Sequence, residues 1–150
     1  MKKIKPGSLE YKILLEFLFQ DAGLKPGELK QSLSVRHSTI NSALARMEKK
    51  QILKWNHHGK VELLEAGKTI LSHLEVHHHL IEIFLVESLG LSPGHAHKQS
   101  LELAPHFSCE TIKKICDKYG RPKICPNHKE IIHLSECHLH EEEKLTFIGD

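Results

Sequence analysis

A chain of 150 residues with 39% hydrophobic and only 5% aromatic residues can bury one or two modest cores, which argues against a large enzyme. Its net charge of +2 is unevenly spread: residues 1–68 hold 13 Lys and Arg against 7 Asp and Glu, and residues 69–150 hold 8 against 12. A basic front and an acidic, histidine-rich back point to a polyanion partner for one part and to cations held by the other.

Leu9, Ile13, Leu14, Phe17 and Leu18 recur at helical spacing after Ser8, an N-cap, and Gly23 is expected to close this first helix. Pro26 at a helix start, with Leu29 and Leu33, predicts a second short helix. Ser34-Val35-Arg36 is then a tight connection into a third, with Ile40, Leu44 and Met47 on one face. Ile52 to Trp55, Asn56-His57-His58-Gly59 and Lys60 to Leu64 read as strand, turn and strand. Together these predict a winged helix-turn-helix. In such a unit the third helix enters the major groove of double-stranded DNA. Arg36, Ser38, Thr39 and Ser42 are the candidates for base and backbone contacts, and Arg46, Lys49 and Lys50 for phosphates. Lys54 and Lys60 flank the wing turn.

Val76 to Val86 lie on one long helix, where His78 and Glu82, four apart, share a face; His97 follows after a short break. An imidazole and a carboxylate so stacked are how two helices come to share a metal ion. Ile70, Leu71, Leu74, Ile81, Phe84, Leu85 and Leu89 give the same helix an apolar face for packing and for a two-fold partner, so a homodimer is expected. His57, His58, His73, His77, His79, His95 and His133 are expected at the surface or behind the ligands, without a role of their own.

All four cysteines lie in the last third of the chain. No apolar stretch approaches the length of a membrane span, and Met1-Lys2-Lys3-Ile4-Lys5 runs into Pro6-Gly7 without a secretory apolar region, so a cytoplasmic chain with reduced thiols and no membrane contact is expected. Cys125 and His128, then Cys137 and His140, give C-x2-H, eight residues, C-x2-H, a set suited to tetrahedral Zn2+ or a thiophilic iron site. The competing reading is a histidine-rich tail whose pairs arose by composition. Cys109 and Cys116, seven apart on one helix, read as small buried hydrophobes, with ligation the alternative.

The stretch Ala43 to Lys50, Ala66-Gly67, the run His78-Leu80-Glu82-Phe84-Leu85, Leu89-Gly90-Leu91, His97 and Ser108 resemble the diphtheria toxin repressor family of metal-dependent repressors, over about residues 8–126. The resemblance implies an N-terminal winged helix, a helical dimerisation and metal-binding domain, and operator binding activated by Fe2+ or Mn2+. It places His78, Glu82 and His97 on the family's ancillary metal site. At the primary site it places Leu101, Ala104 and Pro105, which carry no ligand atoms; Glu102 and His106 are displaced by one residue, and Glu10 stands near the remaining ligand position. The expected chain ends before the SH3-like third domain of longer members.

The fold class expected is therefore mainly α with a small β-wing: a DNA-binding domain at 1–68, a helical dimerisation and metal-binding domain at 69–120, and a Cys/His-rich tail at 121–150. The expected function is a metal-dependent repressor in metal homeostasis, not an enzyme, binding a pseudo-palindromic operator as a homodimer. The alternative is a winged-helix module that binds DNA or protein constitutively around a structural zinc. A small metalloenzyme is a third reading, but no base, nucleophile and oxyanion arrangement is visible.

Overall fold

The computed structural model describes residues 4–20, 23–56 and 59–133. The chain is mainly helical and falls into two compact units that divide between Leu71 and Ser72, inside one long helix.

In the first unit, helix α1 (Leu9–Glu16) starts at Ser8, whose side chain accepts the Tyr11 N–H at 3.2 Å and so satisfies one of the amides a helix start leaves unpaired. It ends well before Gly23. The amides of Phe17, Leu18 and Phe19 bond carbonyls three residues back, at 3.1, 3.0 and 3.3 Å, which tightens the helix into turns and stops it. Gly23 serves another purpose: a side chain there would press on the Val61 carbonyl, and without one Leu24 bridges Val61 antiparallel, with Val61 N–H donating to Leu24 O at 2.6 Å.

Helix α2 (Pro26–Leu33) carries proline in its first turn, and Ser34, left-handed at φ 53, ends it. Helix α3 (His37–Lys49) buries Ile40, Ala43, Leu44 and Met47 on one face, at the 3–4 residue spacing a helix requires. Strands β1 (Leu53–Lys54) and β2 (Glu62–Leu63) pair antiparallel, Leu53 opposite Leu63 and Lys54 opposite Glu62. They are shorter than the periodicity suggests. At one end the Trp55 N–H donates to the Glu48 carboxylate at 3.1 Å, which takes it out of the ladder. His57 and His58 of the intervening turn lie outside the described residues. Leu24, Leu29, Ile40, Leu44, Met47, Ile52 and Leu53 form the core, each 1% exposed or less. Each such side chain contributes about 1.5–3 kcal/mol by burial.

Helix α4 (Glu65–Leu89) carries the chain into the second unit. From Val76 to Ile83 every position is buried, polar ones included, so this stretch is enclosed all round rather than half-solvated. Gly90, at φ +70, closes the helix: its N–H donates to Val86 O at 2.9 Å, the bond of an αL close, and the Leu91 N–H donates to Leu85 O at 3.3 Å. Helix α5 (Pro93–Leu103) starts at once, capped by Ser92, and ends in a 3-10 turn at Ala104–His106. Helix α6 (Cys109–Lys118) is capped by Ser108. Beyond it the chain doubles back in a tight turn. Ile124 bridges Glu130, Cys125 N–H donates to Lys129 O at 2.8 Å, and Ile131 N–H donates to Lys123 O at 2.8 Å. Asn127 Nδ2 donates to Pro93 O at 3.0 Å and ties this turn to the start of α5.

Candidate metal centre

Glu82 is fully buried and is surrounded by three imidazoles. His78, one turn earlier on α4, brings Nδ1 to 3.3 Å from Glu82 Oε1; His79 places Nδ1 3.6 Å from Oε2; and His97 reaches across from α5 to put Nδ1 2.6 Å from Oε1. The i, i+3 and i, i+4 spacings that stack side chains on a helix give the first two, and the Gly90 turn gives the third.

Hydrogen bonding assigns the tautomer of His78. Ser100 Oγ donates to the His97 carbonyl at 2.8 Å, so toward His78 Nδ1, at 3.2 Å, it accepts. His78 therefore carries its proton on Nδ1 and keeps the Nε2 lone pair, the arrangement of a ligating histidine whose other nitrogen is held by a neighbour. Burial pushes the His78 ring below its ordinary range, against the pull of Glu82, and keeps it neutral. Burial works the other way on Glu82, but His78, His79 and His97 outweigh it and hold the carboxyl well below the ordinary range. A neutral imidazole beside an ionised carboxylate is the protonation state that metal binding needs.

Two buried atoms in this cluster, Glu82 Oε2 and His79 Nδ1, find no hydrogen-bond partner among the described residues. Glu82 Oε2 is buried without a hydrogen bond, since His79 stands too far away to supply one. A bare buried carboxylate oxygen is costly, and a cation is the chemistry that removes the cost. Ligand atoms of His78, His79 and Glu82 all lie within 4.8 Å of one another, a spacing that one divalent ion can bridge. These residues fit a metal ion.

Residues 64–133, which include this cluster, match the family model for the metal-binding and dimerisation domain of iron-dependent repressors. The chain thus carries, over residues 64–133, the metal-binding and dimerisation domain of the iron-dependent repressors. Its fold is also that of several solved structures. The hypothetical protein SSo2273 from Sulfolobus solfataricus is 23% identical with a TM-score of 0.69, over 87% of this chain and 100% of that one. A manganese-dependent transcriptional repressor, solved in complex with manganese, is 21% identical with a TM-score of 0.71, over 81% of this chain and 57% of that one. The manganese regulator SloR is 22% identical with a TM-score of 0.68, over 87% of this chain and 61% of its own. This chain thus spans about three fifths of the length of those two regulators. No curated protein matches it.

Of the two places expected for them, His77 and His79 do not take the surface: they are 3% and 4% exposed. The i, i+3 spacing of His79 to Glu82 was the available signal, overshadowed by the more familiar i, i+4 pair. His77 turns elsewhere, with Nε2 3.7 Å from Cys109 Sγ on α6. Cys116 is buried, as a small hydrophobe would be, with Sγ 3.8 Å from His133 Nδ1.

At the family's primary-site positions, Ala104 and Pro105 are buried in the 3-10 turn and Leu101 is half-buried, while Glu102 and His106 face solvent. Glu10, in the first unit, is engaged by Arg46, whose Nε lies 2.8 Å from Oε1. Burial would raise the Glu10 carboxyl, but Arg46 outweighs it and holds the group below its ordinary range. Cys125 is buried at 2%, whereas His128, at the same turn, faces solvent. Cys137 and His140 lie outside the described residues. Arg36, Ser38, Thr39, Ser42, Arg46, Lys49, Lys50, Lys54 and Lys60 are all exposed.

Proposed function

We propose that this protein is a metal-activated transcriptional repressor that binds a pseudo-palindromic operator as a homodimer. Helices α2 and α3 with the β1–β2 hairpin act as a winged helix-turn-helix. Thr39, Ser38, Ser42 and Arg36 read base edges and neighbouring backbone, and Arg46, Lys49, Lys50, Lys54 and Lys60 meet phosphates. Their common exposure, in a unit richer in basic than acidic residues, supports this reading. Two such surfaces on a symmetric dimer would meet half-sites about one helical turn, or a multiple, apart.

The observation that carries the proposal is the buried Glu82 with its unpaired Oε2 and its shell of imidazoles, inside the segment that matches a metal-binding and dimerisation domain. His78, Glu82 and His97 hold the ion, with His79 beside them. A bound Fe2+ or Mn2+ supplies positive charge that this carboxylate and these neutral rings are arranged to receive. If the metal-loaded conformation is also the one whose recognition helices fit the operator, linkage requires metal to raise DNA affinity and DNA to raise metal affinity.

The test uses duplexes selected by the metal-loaded protein from a randomised library. Their affinity is compared with Mn2+, with Fe2+ under anaerobic conditions, and with chelator. Metal should strengthen binding at least about fivefold, the low end of ordinary coupling. Equal affinity in chelator would instead describe a constitutive DNA-binding module around a structural zinc.

A further inference from the structure

A second group of metal-ligating side chains lies on another face of α4. His77, 3% exposed, places Nε2 3.7 Å from the sulfur of Cys109, the first residue of α6. His73 stands one helical turn before His77, and the two rings meet edge-on with centroids 6.3 Å apart. Consecutive residues of a helix diverge by about 100°, so His77 leaves the Glu82 cluster to His78 and faces α6 instead. His73, His77 and Cys109 all belong to the second unit.

The spacing is that of an ion's donors. In a tetrahedral zinc site, bonds of about 2.3 Å to sulfur and about 2.0 Å to nitrogen set those two atoms about 3.5 Å apart. The His77 to Cys109 separation of 3.7 Å is already close to that edge. Two imidazoles on one such ion have centroids about 5 Å apart. His73 reaches this by closing on His77 by about 1 Å, a side-chain rotation open to a half-buried ring. A hydrogen bond from the thiol is the weaker alternative, since S–H is a poor donor and does little to offset the burial of a polar ring. Cys109 and His73 are both half-buried, so an ion reaches them from solvent.

We propose that His73, His77 and Cys109 form a second metal site, which takes Zn2+ and fastens the start of α6 to α4. One sulfur and two nitrogen donors suit Zn2+ and suit Mn2+ poorly, because Mn2+ prefers oxygen ligands. Three protein donors leave the fourth tetrahedral position to water. On binding, the Cys109 S–H bond breaks, the sulfur–zinc bond forms and one proton leaves to solvent, while both imidazoles bind as neutral rings. The site shares no ligand with the Glu82 cluster and does not depend on the reading of that cluster.

The full-length, metal-free protein is titrated with Zn2+ by calorimetry, and the reaction of each cysteine with iodoacetamide is followed by mass spectrometry with and without Zn2+. Zn2+ should slow labelling of Cys109 at least about tenfold in wild type, since a metal-bound thiolate is no longer free to react. The same protection should hold in His78→Ala, which removes a ligand of the Glu82 cluster and none of this site. It should be lost in His77→Gln. Calorimetry should count one Zn2+ fewer per chain in Cys109→Ser, with Mn2+ binding unchanged. Equal labelling of Cys109 with and without Zn2+, or an equal Zn2+ count in Cys109→Ser, would overturn the proposal and leave the thiol–imidazole hydrogen bond as the whole contact. Protection that survives in His77→Gln or disappears in His78→Ala would also overturn it, because the sulfur would then serve a different site. Should His77→Gln not fold, His73→Ala replaces it. The Zn2+ concentration that protects Cys109 should rise at least about tenfold in that variant, and an unchanged protection curve would refute the three-ligand site.

Discussion

His97 Nδ1 lies 2.6 Å from Glu82 Oε1, joining two helices across 15 residues of sequence through one charge-assisted hydrogen bond. Glu82 is fully buried while the His97 side chain is 34% exposed, so the pair links the interior of α4 to solvent. A ligand entering beside His97 meets the carboxylate immediately behind it.

His78→Ala removes a lone pair that the Ser100 contact leaves available. Metal affinity should fall by at least about tenfold, and metal-dependent DNA binding should fall in parallel. Calorimetry and operator binding on the same preparation check this. Unchanged stoichiometry together with unchanged activation would remove His78 from the site.

The metal-free protein should lose stability in two stages as the solution is acidified. His78 has its folded value depressed below an ordinary 6.5, so as pH falls below that value the unfolded ring takes a proton that the native ring refuses, and stability declines toward the folded value. Glu82 is depressed from an ordinary 4.5, so its contribution is complete above that pH and is lost as pH falls through its folded value. Urea unfolding with chelator, between about pH 7.5 and pH 5, should show the first decline, and His78→Gln should flatten it. An identical slope in the variant would assign the decline to another group.

The Glu10 to Arg46 ion pair bears on DNA binding because Arg46 is also a candidate phosphate contact. Arg46→Ala should weaken binding evenly across sequences and lower the salt slope by about one. It should cost stability no more than about 1 kcal/mol, because the arginine is more than half exposed. Glu10→Gln should release Arg46 and strengthen non-specific binding. Thr39→Ala should relax preference at one operator position per half-site; a preference profile unchanged at every position would move sequence reading to another residue.

Gly90 sits at φ +70 with nothing within 4 Å of where a side chain would begin, so Gly90→Ala tests backbone strain alone. It should cost about 1–2 kcal/mol in urea unfolding. Metal affinity should fall as well, because this turn returns α5 and His97 to Glu82. Loss of stability with unchanged affinity would show that the site tolerates a displaced α5.

Local spacing was enough to make much of this molecule legible. Ser8 and Pro26 stand where α1 and α2 begin, and Ile40, Leu44 and Met47 on one face of α3 and His78 with Glu82 a turn apart on α4 are consequences of 3.6 residues per turn. Periodicity could not show that α1 stops at Glu16, because that depends on bonds to carbonyls three residues back competing with four. Nor could it distinguish a solvated histidine run from an enclosed one: His77 and His79 are buried because α4 is covered there on every side, information absent from α4 itself. The same holds for Cys125. Its spacing to His128 suggested a local pair, yet the folded turn exposes His128 and sets the sulfur beside Glu82, 43 positions earlier in the chain. A one-dimensional pattern reports which side chains share an element's face; which faces meet is decided by burial of the whole chain.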